Sequence, residues 1–278
     1  MDILETIVAH KRREVASQQA AVPSERLLAM GAARMSRPVN SMRRALERSP
    51  SGIIAEFKRR SPSKGWLHAG ARVEEVVPAY ERGGAAACSV LTDGDFFGGS
   101  LGDLQRARAQ VRLPLLRKDF IIDEYQLFQA RVMGADAVLL IAATLTRSEC
   151  LRLARTAHAM EMEVLLEIHH ERELACLHPE IDMLGVNNRN LGTFHTTVEN
   201  SFRLMERIRA EAGAGAASPL SVSESGLSEA ATVVQLREAG FRGFLIGETF
   251  MKTDRPGEAL AAFIAQMNSH EQSTGRPA

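Results

Sequence analysis

Two lysines in this chain stand directly after short apolar runs: Lys58 follows Ile53-Ile54-Ala55-Glu56-Phe57, and Lys118 follows Leu115-Leu116-Arg117. The chain has only five lysines, Lys11, Lys58, Lys64, Lys118 and Lys252, against 29 arginines. Lysine sheds its proton on burial far more readily than arginine, so a lysine closing a buried strand is a candidate acid or base. Glu167 closes another such run, Val164-Leu165-Leu166. Two amines and a carboxylate brought together set one another's protonation states and move protons in both directions. The plainer reading of each, taken alone, is a buried ion pair.

A second chemistry is anion binding. In AEFKRRSPSKG (55–65) an apolar run opens into four cations and two hydroxyls, groups that suit phosphate or carboxylate oxygens. Further on, Ser225-Gly226 precedes a helical pattern, and Gly247-Glu248 follows a buried run. Glycine at such turns lets backbone N–H groups approach a phosphate closely; the alternative is two ordinary turns. Phe96, Phe97, Phe120 and Trp66 are candidates for an apolar wall around a ring. His169-His170 has the composition of a metal pair, but neighbours at a strand end point apart, so no metal is expected.

Something must carry these groups to one rim. Apolar runs at 52–57, 86–91, 114–116, 137–141, 164–167, 183–186, 220–223 and 244–246 alternate with helical-period segments. The helices are expected at 73–82, 101–109, 124–133, 147–160, 170–177, 198–210, 228–239 and 257–267. Strand then helix, eight times, predicts an α/β fold, an eight-stranded parallel β/α (TIM) barrel, with an open doubly wound sheet as the competitor. Pro78 predicts a kink or a late start in its helix. Helices at 2–19, with Asp2 as N-cap, 24–30 and 41–48 form an extra N-terminal helical segment. The organisation expected is one domain over 1–269, with 1–51 the extension and 52–269 the barrel, a small-residue loop at 213–218 and a polar tail at 270–278. Such barrels react at the C-terminal ends of their strands, and seven of the eight runs end in polar or charged residues.

Composition excludes several classes. Acids and bases number 34 each, so no polyanion such as nucleic acid is indicated. The longest wholly apolar run, 137–143, is far shorter than the roughly 20 residues of a membrane span. The N-terminus carries His10-Lys11-Arg12-Arg13-Glu14 where a signal peptide is apolar, so a cytoplasmic protein is expected. Cys88, Cys150 and Cys176 have neither disulfide nor zinc spacing.

The ordered motifs resemble those of the indole-3-glycerol phosphate synthase family, from the leading helix to about residue 267. They are Ile7-Val8-Ala9-His10-Lys11, AEFKRRSPSKG (55–65), SVLTDGDFFGGS (89–100), LLRKDFIIDEYQ (115–126), GADAVLLI (134–141), GVNNRNL (185–191), VSESGL (222–227) and LIGETFM (245–251). The resemblance implies closure of 1-(2-carboxyphenylamino)-1-deoxyribulose 5-phosphate to indole-3-glycerol phosphate, with loss of carbon dioxide and water, without a cofactor, in tryptophan biosynthesis. It implies Lys118 as general acid, Glu167 as base of the dehydration and Lys58 as a second catalytic amine. Glu56, Asn187 and Glu224 would hold the charge network and substrate. Ser61 and Arg189 would be polar ligands; Ser225, Gly226, Gly247 and Glu248 the phosphate cradle; Phe97, Phe120 and Leu139 the apolar pocket. A small phosphorylated substrate is the expected partner of a monomer, with association among tryptophan-pathway enzymes left open. Phe57 and the polar stretch Phe194-His195-Thr196-Thr197 depart from the family pattern. The leading helix and the 58–71 loop are expected to cover the mouth. Rival readings are phosphoribosylanthranilate isomerase, a Schiff-base aldolase using Lys118, and a silent phospholigand-binding barrel. The isomerase would need a cysteine where Glu56-Phe57-Lys58 stands.

Overall fold

The computed structural model describes residues 3–190, 192, 195–212 and 219–273. The expected Asp2 cap, Phe194 and the 213–218 loop lie outside them. Eight parallel strands close into a barrel: β1 (Ile53–Phe57), β2 (Ala87–Leu91), β3 (Leu115–Lys118), β4 (Ala137–Ile141), β5 (Glu163–Ile168), β6 (Met183–Asn187), β7 (Leu220–Glu224) and β8 (Gly243–Ile246), with β1 pairing both β2 and β8. The strands are buried almost throughout, which is why their sequences read as unbroken apolar runs rather than as alternation.

Around the barrel lie α4 (Val73–Arg82), α5 (Leu101–Gln110), α6 (Glu124–Met133), α7 (Arg147–Ala159), α8 (Glu199–Ala212), α9 (Ala230–Glu238), the short α10 (Glu248–Met251) and α11 (Pro256–Ser273). Local chemistry starts them: Ser100 caps α5, and Asp123 with Gln126 and Thr146 with Glu149 form capping boxes on α6 and α7. Pro78 causes no late start, since α4 begins at Val73 and runs past it to Arg82. The helix expected at 170–177 is instead a 3₁₀ segment, Glu171–Cys176, because Pro179 and the start of β6 leave no room for further turns. At the other end α11 continues to Ser273, into the stretch expected to be tail.

The N-terminal segment, α1 (Ile3–Ala21), α2 (Ser24–Met35) and α3 (Met42–Arg48), reaches both ends of the barrel. Met42 and Leu46 of α3 pack with Ile54, Ala87, Leu116, Met183 and Leu220, closing the bottom. Gly31 lets α2 cross α6 so tightly that a β-carbon there would lie 2.3 Å from Val132. Over the top, Lys11 of α1 is 1% exposed and pairs with Asp93 at 2.8 Å, Asp119 at 3.0 Å and Glu14 at 2.8 Å. Burial opposes its charge, but Asp119 and Asp93 overcome that and raise its pKa, so α1 is riveted to the loops after β2 and β3.

Candidate active site

Because side chains alternate along a strand, residues two apart share the barrel interior. Glu56, Lys118, Glu167, Asn187 and Glu224 all line one cavity of about 610 Å3 at the C-terminal rim, and Lys58 joins them there from just past β1. Lys118 Nζ stands 3.2 Å from Glu167 Oε2 and 3.4 Å from Glu224 Oε2. Asn187 donates to Glu167 Oε1 at 3.1 Å, and Lys58 pairs with Glu56 at 2.5 Å. The backbone makes room for this: a β-carbon on Gly247 would lie 2.3 Å from Glu56 Oε1.

Opposite ends of the cavity differ in character. Phe97 and Phe120, with centroids 6.0 Å apart, form an apolar wall with Leu139 and with Ile3, Leu4 and Ile7 of α1. Trp66 and Phe96 are absent from that wall. Trp66 is 58% exposed with the Arg60 guanidinium over its ring, and Phe96 packs edge-on against His10. The other end is lined by Ser225, Gly226, Gly247 and Glu248 together with Arg189. Ser225 and Gly226 both adopt left-handed backbone, φ 68° and 74°, a conformation costly for serine. Asn188 maintains it, donating to Ser225 O at 3.1 Å and to Ser223 Oγ at 3.2 Å while accepting from Ser201 Oγ at 2.8 Å.

Ser61 lies off the cavity wall. Its hydroxyl is buried and accepts from Lys64 N, closing a tight turn between the paired segments Arg60–Ser61 and Gly65–Trp66. The turn presents Ser63 instead, which accepts from Arg189 at 2.9 Å. The Glu248 carboxylate points to cations, Arg189 at 3.6 Å and Lys64 at 3.8 Å, so any anion seated here would rely on backbone N–H groups beside it.

Residues 4–263 match the family described as Indole-3-glycerol phosphate synthase. This chain belongs to the indole-3-glycerol phosphate synthase family. It is 57% identical to that enzyme of Bacteroides thetaiotaomicron over 264 residues, 95% of this chain and 98% of the relative. With the Neisseria gonorrhoeae synthase it shares 46% over 259 residues, covering 92% and 96%. Among solved structures, a mutant tryptophan synthase α-subunit from Pyrococcus furiosus superposes with a TM-score of 0.59 at 13% identity, over 79% of this chain and 98% of that one. KGPDC from Streptococcus mutans does so with 0.59 at 10%, over 78% and 97%. These two likenesses are of fold.

In this member of the synthase family the charges settle into an ordered row. Burial disfavours the Lys118 ammonium, but Glu167, Glu224 and Glu56 outweigh it, so its pKa is raised and it stays protonated. Glu167 is desolvated too, yet Lys118 and His169 hold its pKa well below the usual carboxylate range. Glu224 goes the other way: burial, with Glu167 and Glu56 nearby, pushes it up to about 8 despite Lys118. Its Oε1 meets no hydrogen-bond partner among the described residues, so no donor there offsets the cost of ionising it. Glu56 is desolvated as well, and Lys58 and Lys118 lower its pKa. The row therefore reads carboxylate, ammonium, neutral acid, with an ionised Glu56 beyond.

Sequence reasoning gave Asn188 no role and weighed His169 only as half of a metal pair, whereas it lies 4% exposed between Glu167 and Glu173; the leading helix, expected over the mouth, contributes Ile3, Leu4 and Ile7 to the wall. Asn188 was readable only as one polar residue among three at a strand end; its place just past β6, against Ser201 of α8, required the packing.

Proposed function

We propose that this chain is a decarboxylating carbon–carbon lyase that closes 1-(2-carboxyphenylamino)-1-deoxyribulose 5-phosphate to indole-3-glycerol phosphate in tryptophan biosynthesis. The observation that carries the reading is the Lys118 ammonium, held between Glu167 and Glu224 in a cavity lined by an aromatic wall and by the left-handed turn at Ser225 and Gly226. That spacing suits a substrate with an arene at one end and a phosphate at the other.

Attack of the aryl carbon on the ribulose carbonyl breaks aromaticity and puts negative charge on the carbonyl oxygen; Lys118 supplies the proton that neutralises it. Loss of the carboxylate as carbon dioxide returns its electron pair to the ring and restores the arene. The new hydroxyl then leaves as water while a ring proton is removed. Glu167 is suited to take that proton, because once Lys118 has given up its own the cation that depressed Glu167 is gone and its basicity rises. Lys58, paired with Glu56, serves as the second amine. Ser225, Gly226, Gly247 and the Glu248 backbone would cradle the phosphate, with Arg189 and Ser63 beside them, and Phe97, Phe120 and Leu139 would receive the arene. A Schiff-base aldolase is disfavoured, since an amine kept as ammonium has no lone pair for imine formation. No described helix is long and apolar enough to cross a membrane. A cytoplasmic monomer is the assignment that goes with the biosynthetic reading.

Mixing the purified protein with the carboxyphenylamino-deoxyribulose phosphate should release indole fluorescence. A protein that the compound protects from unfolding without any such signal would be a silent phospholigand barrel, and the reading would fall.

A further inference from the structure

Behind Glu167, on the side away from the substrate cavity, sits a group the reaction above does not use. His169 is the residue two beyond Glu167, at the point where β5 gives way to the 3₁₀ segment, and only 4% of it is exposed. Its Nε2 stands 3.3 Å from Glu167 Oε1 and its Nδ1 3.5 Å from Glu173 Oε2. Glu173 is itself anchored, accepting from His169 N at 2.6 Å, and Asn200 of α8 donates to His169 O at 3.2 Å. The imidazole thus lies edge-on between two carboxylates, each within ion-pair distance of one ring nitrogen though neither nitrogen makes a hydrogen bond among the described residues, and the two oxygens of Glu167 face different partners. Oε1 accepts from Asn187 and lies within ion-pair distance of His169; Oε2 is left to Lys118.

We propose that His169, anchored by Glu173, is a positioning residue that fixes the Glu167 carboxylate and keeps it ionised and aimed while Lys118 is without its proton. The need for such a group is electrostatic. When Lys118 passes its proton to substrate, Glu167 loses its nearest cation inside a buried site, and an isolated carboxylate there would take up the first available proton rather than the one that must be removed. A second positive charge on the far oxygen limits that rise, leaving Glu167 basic enough to act yet still ionised. Burial favours the neutral ring, but Glu167 and Glu173 reverse that and push its pKa up to about 9, so the charge is in place at neutral pH. The charged and titratable groups around the ring are Glu167 on β5, Glu173 on the 3₁₀ segment, Lys118 of β3 beyond Glu167, and His170, Arg172 and Glu5, which border with it a separate cleft of about 460 Å3. That cleft lies outside the substrate cavity, so replacing His169 removes no atom from the cavity wall.

The inference rests on the synthase reading for its kinetic consequence and not for its electrostatic one, and the test separates them. In His169→Gln, kcat for indole-3-glycerol phosphate formation should fall roughly 10- to 100-fold, as for other groups that orient a reacting residue, with KM within about twofold. The acid limb of the kcat–pH profile should move to higher pH, because Glu167 is no longer held down by the imidazolium. Glu173→Gln should move both quantities the same way, less far. Circular dichroism and a thermal melt establish that each variant is folded. Independently of turnover, the His169 ring-proton resonance, assigned by its loss in His169→Gln, should titrate well above an ordinary imidazole in the parent and lower in Glu173→Gln. An ordinary midpoint, or folded variants whose kcat profile runs parallel to the parent's, would overturn the proposal. The expected raised midpoint with no turnover in any protein would instead strike only the synthase reading.

Discussion

Gly185 and Glu224 occupy the same space in turn: a β-carbon on Gly185 would lie 2.2 Å from Glu224 Oε1, with Leu165 Cδ1 at 3.3 Å closing the other side. Gly185 is also the register partner of Glu167, so the bare backbone at that point lets two acidic side chains flank one ammonium. Gly185→Ala must therefore swing Glu224 off Lys118. We expect kcat to fall at least about 10-fold and stability to drop by about 1–3 kcal/mol, as in other overpacked interiors. Steady-state kinetics with a denaturant melt checks this; parental kcat at parental stability would contradict it.

Lys118→Met keeps most of the volume and removes the proton donor. Turnover should fall by roughly 10²- to 10⁴-fold, the range for loss of a general acid, while inorganic phosphate still protects the fold. Glu167 and Glu224 would be left facing each other without their shared cation, so the variant should be relatively more stable at pH 5 than at pH 8, the reverse of a simple acid effect. Near-normal turnover by Lys118→Met would remove Lys118 from its role.

Asn188 acts on the anion end alone. Asn188→Ala takes the side-chain partner from Ser225 O and Ser201 N, while the Ser201 and Ser223 hydroxyls still bond each other, at a cost of about 1–3 kcal/mol, and frees the left-handed turn at Ser225 and Gly226. KM should rise about 10-fold with kcat within a few-fold, since the proton-moving groups are untouched. A variant that loses kcat at constant KM would show that Asn188 does something other than hold the turn.

Stability should decline on the alkaline side of neutrality. His169 is raised from 6.5 to about 9 and Glu224 from 4.5 to about 8 in the folded chain. Each favours the fold fully below its unfolded value and loses that contribution as pH climbs through the folded one, because the unfolded chain releases the proton first. Asp119, Glu167 and Glu56 are depressed and act oppositely, their contribution disappearing as pH falls below the ordinary carboxylate range. Thermal melts from pH 6.5 to 9 should show the decline, flattened in Glu224→Gln; a decline of equal slope in that variant would exclude Glu224 as its source.

The rim was largely legible before any coordinates, and its failures are instructive. Lys58, Lys118, Glu167, Asn187 and Glu224 could be read because a parallel barrel sends the ends of all its strands to one face, so position along each run fixes which end a residue occupies. Ser61 stands off the cavity wall because the chain turns back between Ser61 and Gly65, which puts Ser63 on the lining beside Arg189. Trp66 and Phe96 misled because aromatic content says nothing about direction once a strand has ended.

By itself the sequence determined the order of strands and helices, the polar residues at the strand ends and the family motifs, all of which are recorded locally as hydrophobic period, caps and short ordered words. Only the tertiary structure decided who meets whom. Lys11 lies between Asp93 and Asp119, Glu224 fills the space Gly185 leaves, and His169 stands between Glu167 and Glu173. Periodicity states which way a side chain faces. The distance between side chains far apart in the chain follows from the stagger of the closed sheet and the packing of α1 and α3 across its two ends, and no local pattern encodes it.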